Sequence, residues 1–184
     1  MKYLRPDITH ALIHLTSRRA ANGLSAEKAL HSILIEGKIK GSGNSGFVKG
    51  ENTASCFTDM PLSSLNSFIE DHSGEHKYEK FGIAMPKQSA FRIGARPVIY
   101  LPNLEAKWIP DDEKWRHVQF DHGSVDFTHE REWRCKGDFD ISNIPIYVIV
   151  PRKKHEDSIK GIEKPLGAKN IKGFLHMETI IDIL

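Results

Sequence analysis

Cysteine is scarce in this sequence. Cys56 and Cys135 are the only two in 184 residues, and they form no CxxC pair. That excludes a disulfide framework and fits a reducing compartment, so a cytoplasmic protein is expected. An excess of one charge is missing too: 26 basic residues stand against 24 acidic ones. That balance gives no general reason to expect a nucleic-acid or membrane partner. No apolar run approaches the roughly 20 residues of a spanning helix. The N-terminal "MKYLRPDITHALIHL" has no uninterrupted apolar core and no small-residue cleavage site, so it does not read as a secretory signal. Internal repeats, linkers and low-complexity tracts are also lacking.

What remains is the composition of a soluble globular domain, 39% hydrophobic and 27% charged. The length suits one domain over 1–184. The pattern alternates between helical and extended signals. "DITHALIHLTS" reads as a first strand, or as a short helix running into one. Ser25 is an N-cap for "AEKALHSILIEG", with Leu30, Ile33 and Leu34 on one face and Gly37 as the stop. "ASCFTDM" is a short strand, and Pro61 opens a helix over "PLSSLNSFIEDH". "KFGIAMP", "RPVIYLP", "EREWRC" and "IPIYVIVP" read as four more strands, three of them stopped by proline. Residues 103–126, polar and aromatic with no clean period, form an irregular insertion carrying Trp108 and Trp115. These rings either cover the sheet or belong to a lid. "HEDSIKGIEKPLG" suggests a surface helix, and "FLHMETIIDIL" a last apolar element. The expected class is α/β, in the α+β sense, with a mostly antiparallel or mixed sheet.

Several motifs invite a chemical reading. "GSGNSG", Gly41 to Gly46, matches GxGxxG, but a helix precedes it and no helix start follows, so a loop is expected in place of a dinucleotide site. His117, His122 and His129 cluster in sequence with Asp121 and Asp126, without the spacing of HExxH, and no metal is expected. A metal-assisted nuclease would require His117, His122 and Asp121 to converge. Cys56 beside Phe57 reads as a small buried hydrophobe, Trp133 as core, and "RKKH" at Arg152 to His155 as a solvated turn.

The stretch "DFTHEREWRC", Asp126 to Cys135, is the most loaded. If Glu130 to Trp133 is extended, Glu130 and Glu132 share one face and Arg131 and Trp133 the other. Two carboxylates side by side repel and raise one another's pKa, which is poor for stability and useful for chemistry. One can stabilise a developing cation while the other orients a nucleophile. The plainer alternative is a charged edge strand in which Arg131 or Arg134 pairs with a glutamate.

Two further segments join it in chain order: "HLTS" from His14, and "SCFTDMP" from Ser55. A histidine strand, then a hydroxyl-aromatic strand, then an ExE strand resembles the motif order of the ADP-ribosyltransferase superfamily. The resemblance implies a split, mostly antiparallel sheet with peripheral helices, and NAD as the substrate. It implies that His14 hydrogen-bonds the adenosine-side ribose, with Thr16 on the same face of its strand. Ser55 and Thr58 belong to the middle motif, and Phe57 or Tyr100 would stack on a ring. Glu132 would hold the nicotinamide-ribose 2′-hydroxyl and Glu130 would stand near the acceptor. His14, the Ser55–Thr58 strand and Glu132 are then expected in one cleft.

A second resemblance rests on "RPDITHALIHLTSR", "CFTDMPLSSL", "FGIAMPK", "RPVIYLP" and "HEREWR", spread over residues 5 to 134. Together they resemble the AbiG type of abortive-infection, phage-resistance protein. That implies antiviral defence and a cognate toxin or antitoxin as partner, while a protein or nucleic-acid acceptor is implied by the ADP-ribosyltransferase resemblance. Three functional classes follow: an NAD-dependent ADP-ribosyltransferase, a non-catalytic antitoxin or sensor, and the nuclease.

Overall fold

In a computed structural model the chain is described over residues 9–17, 24–43, 47–71, 78–161 and 170–181. Its strands are β1 (Ala11–Ser17), β2 (Lys38–Ile39), β3 (Ala54–Thr58), β4 (Tyr78–Pro86), β5 (Arg96–Pro97), β6 (Ile99–Leu101), β7 (His117–Gln119), β8 (Glu132–Lys136), β9 (Phe139–Asp140), β10 (Ile146–Val150) and β11 (Ile171–His176). The helices are α1 (Ala26–Glu36), α2 (Leu62–Asp71), α3 (Lys87–Arg92), α4 (Lys153–Lys160) and α5 (Met177–Ile181).

Local chemistry sets several boundaries where the sequence suggests. The Ser25 side chain accepts from the Lys28 N–H, and Gly37 closes α1 in the left-handed region at φ 70°. The first segment is a strand, since apolar side chains line both of its faces, the mark of a central position.

Seven strands form one sheet in the order β11-β10-β4-β1-β3-β8-β5. Every neighbouring pair is antiparallel except β10 with β11. The expected strand "RPVIYLP" is in fact two. β5 pairs with β8 at the sheet edge, while β6 leaves to pair in parallel with β7. Pro97 cannot donate to a ladder, so β5 lies where one side needs no partner. The 103–126 segment contains two 3₁₀ turns and β7, and ends in a bridge between Asp121 and Val125.

Strand alternation gives the sheet two distinct faces. On the first, Leu12, Phe57, Phe81, Ile83, Met85 and Val148 pack with Leu30 and Leu34 of α1 and Ile159 of α4. On the second, Ile13, Leu15, Ala84 and Ile149 pack with Leu65 and Ile69 of α2 and Met177 of α5. A separate small cluster, Val48, Ala54 and Trp115 with Cys56 against it, lies under the insertion. Burying each of these larger side chains contributes about 1.5–3 kcal/mol before entropy is counted. β1 and β4 approach closely at Gly82, where a Cβ would fall 2.2 Å from the His14 carbonyl oxygen. β1 and β3, by contrast, share a single register pair, Ile13 with Thr58. The sheet therefore splits there, between the two apolar clusters of the second face.

Candidate active site

Register decides which of the nominated residues meet. Ile13 lies opposite Thr58, and Thr58 opposite Glu132, so these three share the second face. His14, Thr16, Ser55 and Phe57 alternate to the first face. Of the residues expected in one cleft, His14, the Ser55–Thr58 strand and Glu132, the register puts Thr58 and Glu132 on one face of the sheet and His14, Ser55 and Phe57 on the other, because neighbouring residues of a strand point opposite ways.

Three of the first-face residues are structural. Thr16 is buried and its hydroxyl is within 2.8 Å of the Ala26 carbonyl and 3.2 Å of that of Phe81. Ser55 lies 3.1 Å from the Ile39 carbonyl and 2.8 Å from that of Gly137. Phe57 is 3% exposed and packs edge-on against Phe139 at 4.8 Å, so it has no free face for a ligand ring. These residues tie β1 and β3 to α1 and to the β2–β9 ribbon.

His14 stands at the split itself. Its Nδ1 lies 2.9 Å from the Cys56 carbonyl, on the strand across the gap, and its ring is 6.0 Å from that of Phe57. A carbonyl only accepts, so Nδ1 carries the proton. Burial holds the imidazole below its ordinary pKa, against the opposing pull of that carbonyl. The neutral ring then leaves Nε2 as an acceptor.

The second face carries the polar group. Glu130 does not continue the strand: it ends a 3₁₀ turn, Thr128–Glu130. Arg131 follows in the left-handed region at φ 46°, the only non-glycine positive φ among the described residues. Glu132 then opens β8. The reading of Glu130 and Glu132 as neighbours on one strand face is corrected accordingly. The turn is set from β3: the Thr58 hydroxyl donates to the Glu130 carbonyl, and the Asp59 N–H donates to that of Arg131 at 3.2 Å. Placing a bulky residue in this conformation costs about 1–2 kcal/mol, and such strain clusters at functional sites.

Glu132 is paired with Arg134, two residues along and on the same face. Arg134 Nε donates to Oε1 at 2.7 Å and Nη2 to Oε2 at 3.1 Å. Its Nη1 donates to the Trp115 carbonyl at 2.8 Å, with that of His117 at 3.4 Å. Burial, followed by the charge of Glu132, pushes the Cys56 thiol beside this pair up to about 12. Tyr100 is held here by its hydroxyl. Its hydroxyl accepts from the Glu132 N–H at 3.0 Å and donates to the Phe127 carbonyl at 3.3 Å, which pins the turn. Burial pushes its phenol up to about 12.

Sequence reasoning missed Arg134, Cys56, Tyr78 and Phe68 as site residues. Burial first, then the charge of Glu130, raises the Tyr78 phenol, which also feels Cys56 and Glu132. Phe68 lies 6.1 Å from the Tyr78 ring and 6.0 Å from that of His129. The aromatic wall they form packs on the cluster of Ile13 and Leu65, with Tyr78 near enough to feel both carboxylates. Arg134 was legible as an i, i+2 partner of Glu132; the aromatic wall, assembled from α2, β4 and the turn, left no local signal.

The insertion divides its tryptophans. Trp115 is 4% exposed under the sheet's second face, while Trp108 is 67% exposed. The nuclease residues are spread apart in role: His117 is buried with Nε2 on the Leu101 carbonyl at 2.8 Å, Asp121 accepts from Gln119, and His122 is exposed. Among the described residues no group of three or more His, Cys, Asp or Glu could hold a metal ion. In "GSGNSG", Ser42 bridges to Ala54 and no helix follows among the described residues; Asn44 to Gly46 lie outside them. "RKKH", expected as a solvated turn, runs into α4, and the end of the expected surface helix "HEDSIKGIEKPLG", residues 162–167, is also outside. Among the described residues no helix is long and apolar enough to cross a membrane.

No family model and no curated protein matches the chain. Two solved structures are similar to it. Thermus sp. 2.9 DarT in complex with NAD+ aligns at 11% identity and a TM-score of 0.46, over 95% of this chain and 98% of that one. Thermus sp. 2.9 DarT in complex with carba-NAD+ aligns at 12% identity and a TM-score of 0.51, over 96% and 98%. The latter likeness extends over nearly the whole of both chains. The chain has an ADP-ribosyltransferase-like fold, a mostly antiparallel split sheet with peripheral helices.

Proposed function

We propose that this chain cleaves NAD at the nicotinamide glycosidic bond and transfers ADP-ribose to a macromolecular acceptor. The observation that carries the reading is the position of Glu132, at the first residue of β8, opposite Thr58 and next to the split between β1 and β3. When that bond breaks, its electron pair leaves with nicotinamide and positive charge develops at the anomeric carbon. A carboxylate held against the ribose stabilises that charge. Phe68 and Tyr78 offer the aromatic wall for a planar ring, in place of Phe57. His14 Nε2, an acceptor, suits a ribose hydroxyl, reached through the gap and not from the face of Glu132. Glu130, displaced from the strand by the turn, suits the acceptor side. That the DarT structure matched at a TM-score of 0.51 holds carba-NAD+ supports the substrate class.

The test is incubation with labelled NAD and measurement of nicotinamide release. The parent should release it, and Glu132→Gln should lose on the order of 100-fold or more. A parent that never releases nicotinamide ends the reading. A second reading has one observation in its favour: Arg134 occupies both Glu132 oxygens, as suits a binding module that keeps the fold without the chemistry. NAD binding without turnover is its expected outcome.

The defence role, with a cognate toxin or antitoxin, rests on the AbiG-type motifs, and a cytoplasmic location on the two unpaired cysteines. Phage plating on cells with the parent or Glu132→Gln tests it. Equal plating on both would remove catalysis from any defence role.

A further inference from the structure

Arg134 is a costly residue where it sits. Its side chain is 1% exposed, and a buried guanidinium is tolerated only when paired and hydrogen-bonded. A methionine or leucine would fill the same space without that cost. The guanidinium spends its donors in two directions. Nε and Nη2 clamp the two Glu132 oxygens, and Nη1 is fixed to the Trp115 carbonyl. The fork is therefore anchored at one end in the 103–126 segment and holds the carboxylate plane at the other. A bidentate fork uses about two of the roughly four lone-pair directions of a carboxylate. The Cys56 thiol beside the pair hydrogen-bonds the same carboxylate and takes up another, which leaves about one direction for a hydroxyl donor, on a carboxylate that cannot rotate.

We propose that Arg134 is a positioning residue, which fixes the plane of the Glu132 carboxylate for the substrate ribose. The inference rests on the NAD-cleaving reading and adds to it the group that preorganises its central carboxylate. Arg134 itself touches no reacting atom.

The test compares the full-length parent with Arg134→Lys, Arg134→Met, Glu132→Gln and the double variant Arg134→Met with Glu132→Gln. Nicotinamide release is measured at varied NAD, with thermal unfolding of each protein alongside. Lysine keeps the charge but is a point donor, unable to span both oxygens and the Trp115 carbonyl together. Misplacing a reacting group by about 1 Å costs on the order of 100-fold, so kcat should fall roughly 10- to 100-fold in Arg134→Lys while KM for NAD stays within about threefold. A merely structural role would lower the unfolding temperature and leave kcat of the folded fraction alone. Because Arg134 acts through Glu132, the double variant should turn over NAD within about twofold of Glu132→Gln. If Arg134→Met fails to fold, the lysine variant decides. The inference is overturned by an active parent whose Arg134→Lys keeps kcat, by a gain in turnover, which would make Arg134 a block, or by a further loss in the double variant. An inactive parent ends the NAD reading and this inference with it, and that outcome is visible in the parent alone.

Discussion

Ile13 lies opposite Thr58, and at that one register pair β1 meets β3. Beyond it the strands part, and the His14 imidazole, bonded to the Cys56 carbonyl, stands in the gap. An antiparallel pair that continued would satisfy its backbone groups with each other and leave a flat apolar face. Here the second face is interrupted between the cluster of Ile13, Leu15 and Leu65 and the cluster of Val48, Ala54 and Trp115. Thr58, Glu132 and Arg134 lie along that interruption.

Glu132→Gln should destabilise the protein. Two like-charged neighbours on one strand face would predict the opposite, since removing one relieves repulsion. In the structure Glu132 instead balances a guanidinium that is 1% exposed. Breaking one side of a buried pair costs about 3–5 kcal/mol, and each kcal/mol lowers Tm by roughly 2–4 °C in a chain of this size. Thermal unfolding checks it, and an unchanged or raised Tm would contradict the pairing.

What was legible in the sequence was what is set locally. Ser25 and Gly37 bound α1 because capping depends on a few adjacent residues. The strand order and the faces were not legible, because they hang on Ile13 finding Thr58, far along the chain. The break between Glu130 and Glu132 was hidden for the same reason. The Thr58 hydroxyl and the Asp59 N–H impose it from another strand, against the extended preference that "EREWRC" has by itself. Alternation made Thr16 a correct face partner of His14, but only the register could say that this was the α1 face.

Phe57 and Thr16 should behave as core residues. Phe57→Ala opens a cavity beside Phe139 and should cost about 3–5 kcal/mol in chemical denaturation. Thr16→Val keeps the shape but leaves the Ala26 and Phe81 carbonyls short of a donor, at about 1–3 kcal/mol. KM for NAD should be unchanged in folded Thr16→Val. A large rise in KM with stability intact would return Thr16 to the ligand site.

Acid should weaken the far edge of the sheet through Glu156. This carboxylate on α4 is held down to about 2, first by Lys153, then by Lys160, against the opposing effect of burial, with His176 adding to the pull. A depressed folded pKa means that the stabilisation is present above the unfolded value, near 4.5, and is lost as pH falls toward 2. Stability should therefore drop between about pH 5 and pH 2, and Glu156→Gln should flatten that part of the profile. Denaturant midpoints measured across this range decide it; parallel curves for parent and variant would show that Glu156 contributes nothing there.

Glu130 should matter to transfer and not to cleavage. Its carboxylate leaves the backbone from the 3₁₀ turn, and Arg131 at φ 46° separates it from the strand that presents Glu132. The anchor of that turn is the Glu130 carbonyl, which accepts from Thr58, and a side-chain change leaves that bond in place. Glu130→Gln should therefore keep the fold, with Tm shifted by no more than about 2 °C, as for a change worth under roughly 0.5 kcal/mol. Charge develops at the anomeric carbon in hydrolysis and transfer alike, so nicotinamide release to water should stay within about threefold of the parent. Labelling of an acceptor needs a base beside the incoming nucleophile and should fall roughly 100-fold, within the range of general-base contributions. The two channels are read in one reaction, as free ADP-ribose and as acceptor-bound label. Equal loss in both would put Glu130 on the ribose with Glu132. No loss in either would leave its carboxylate outside the chemistry altogether.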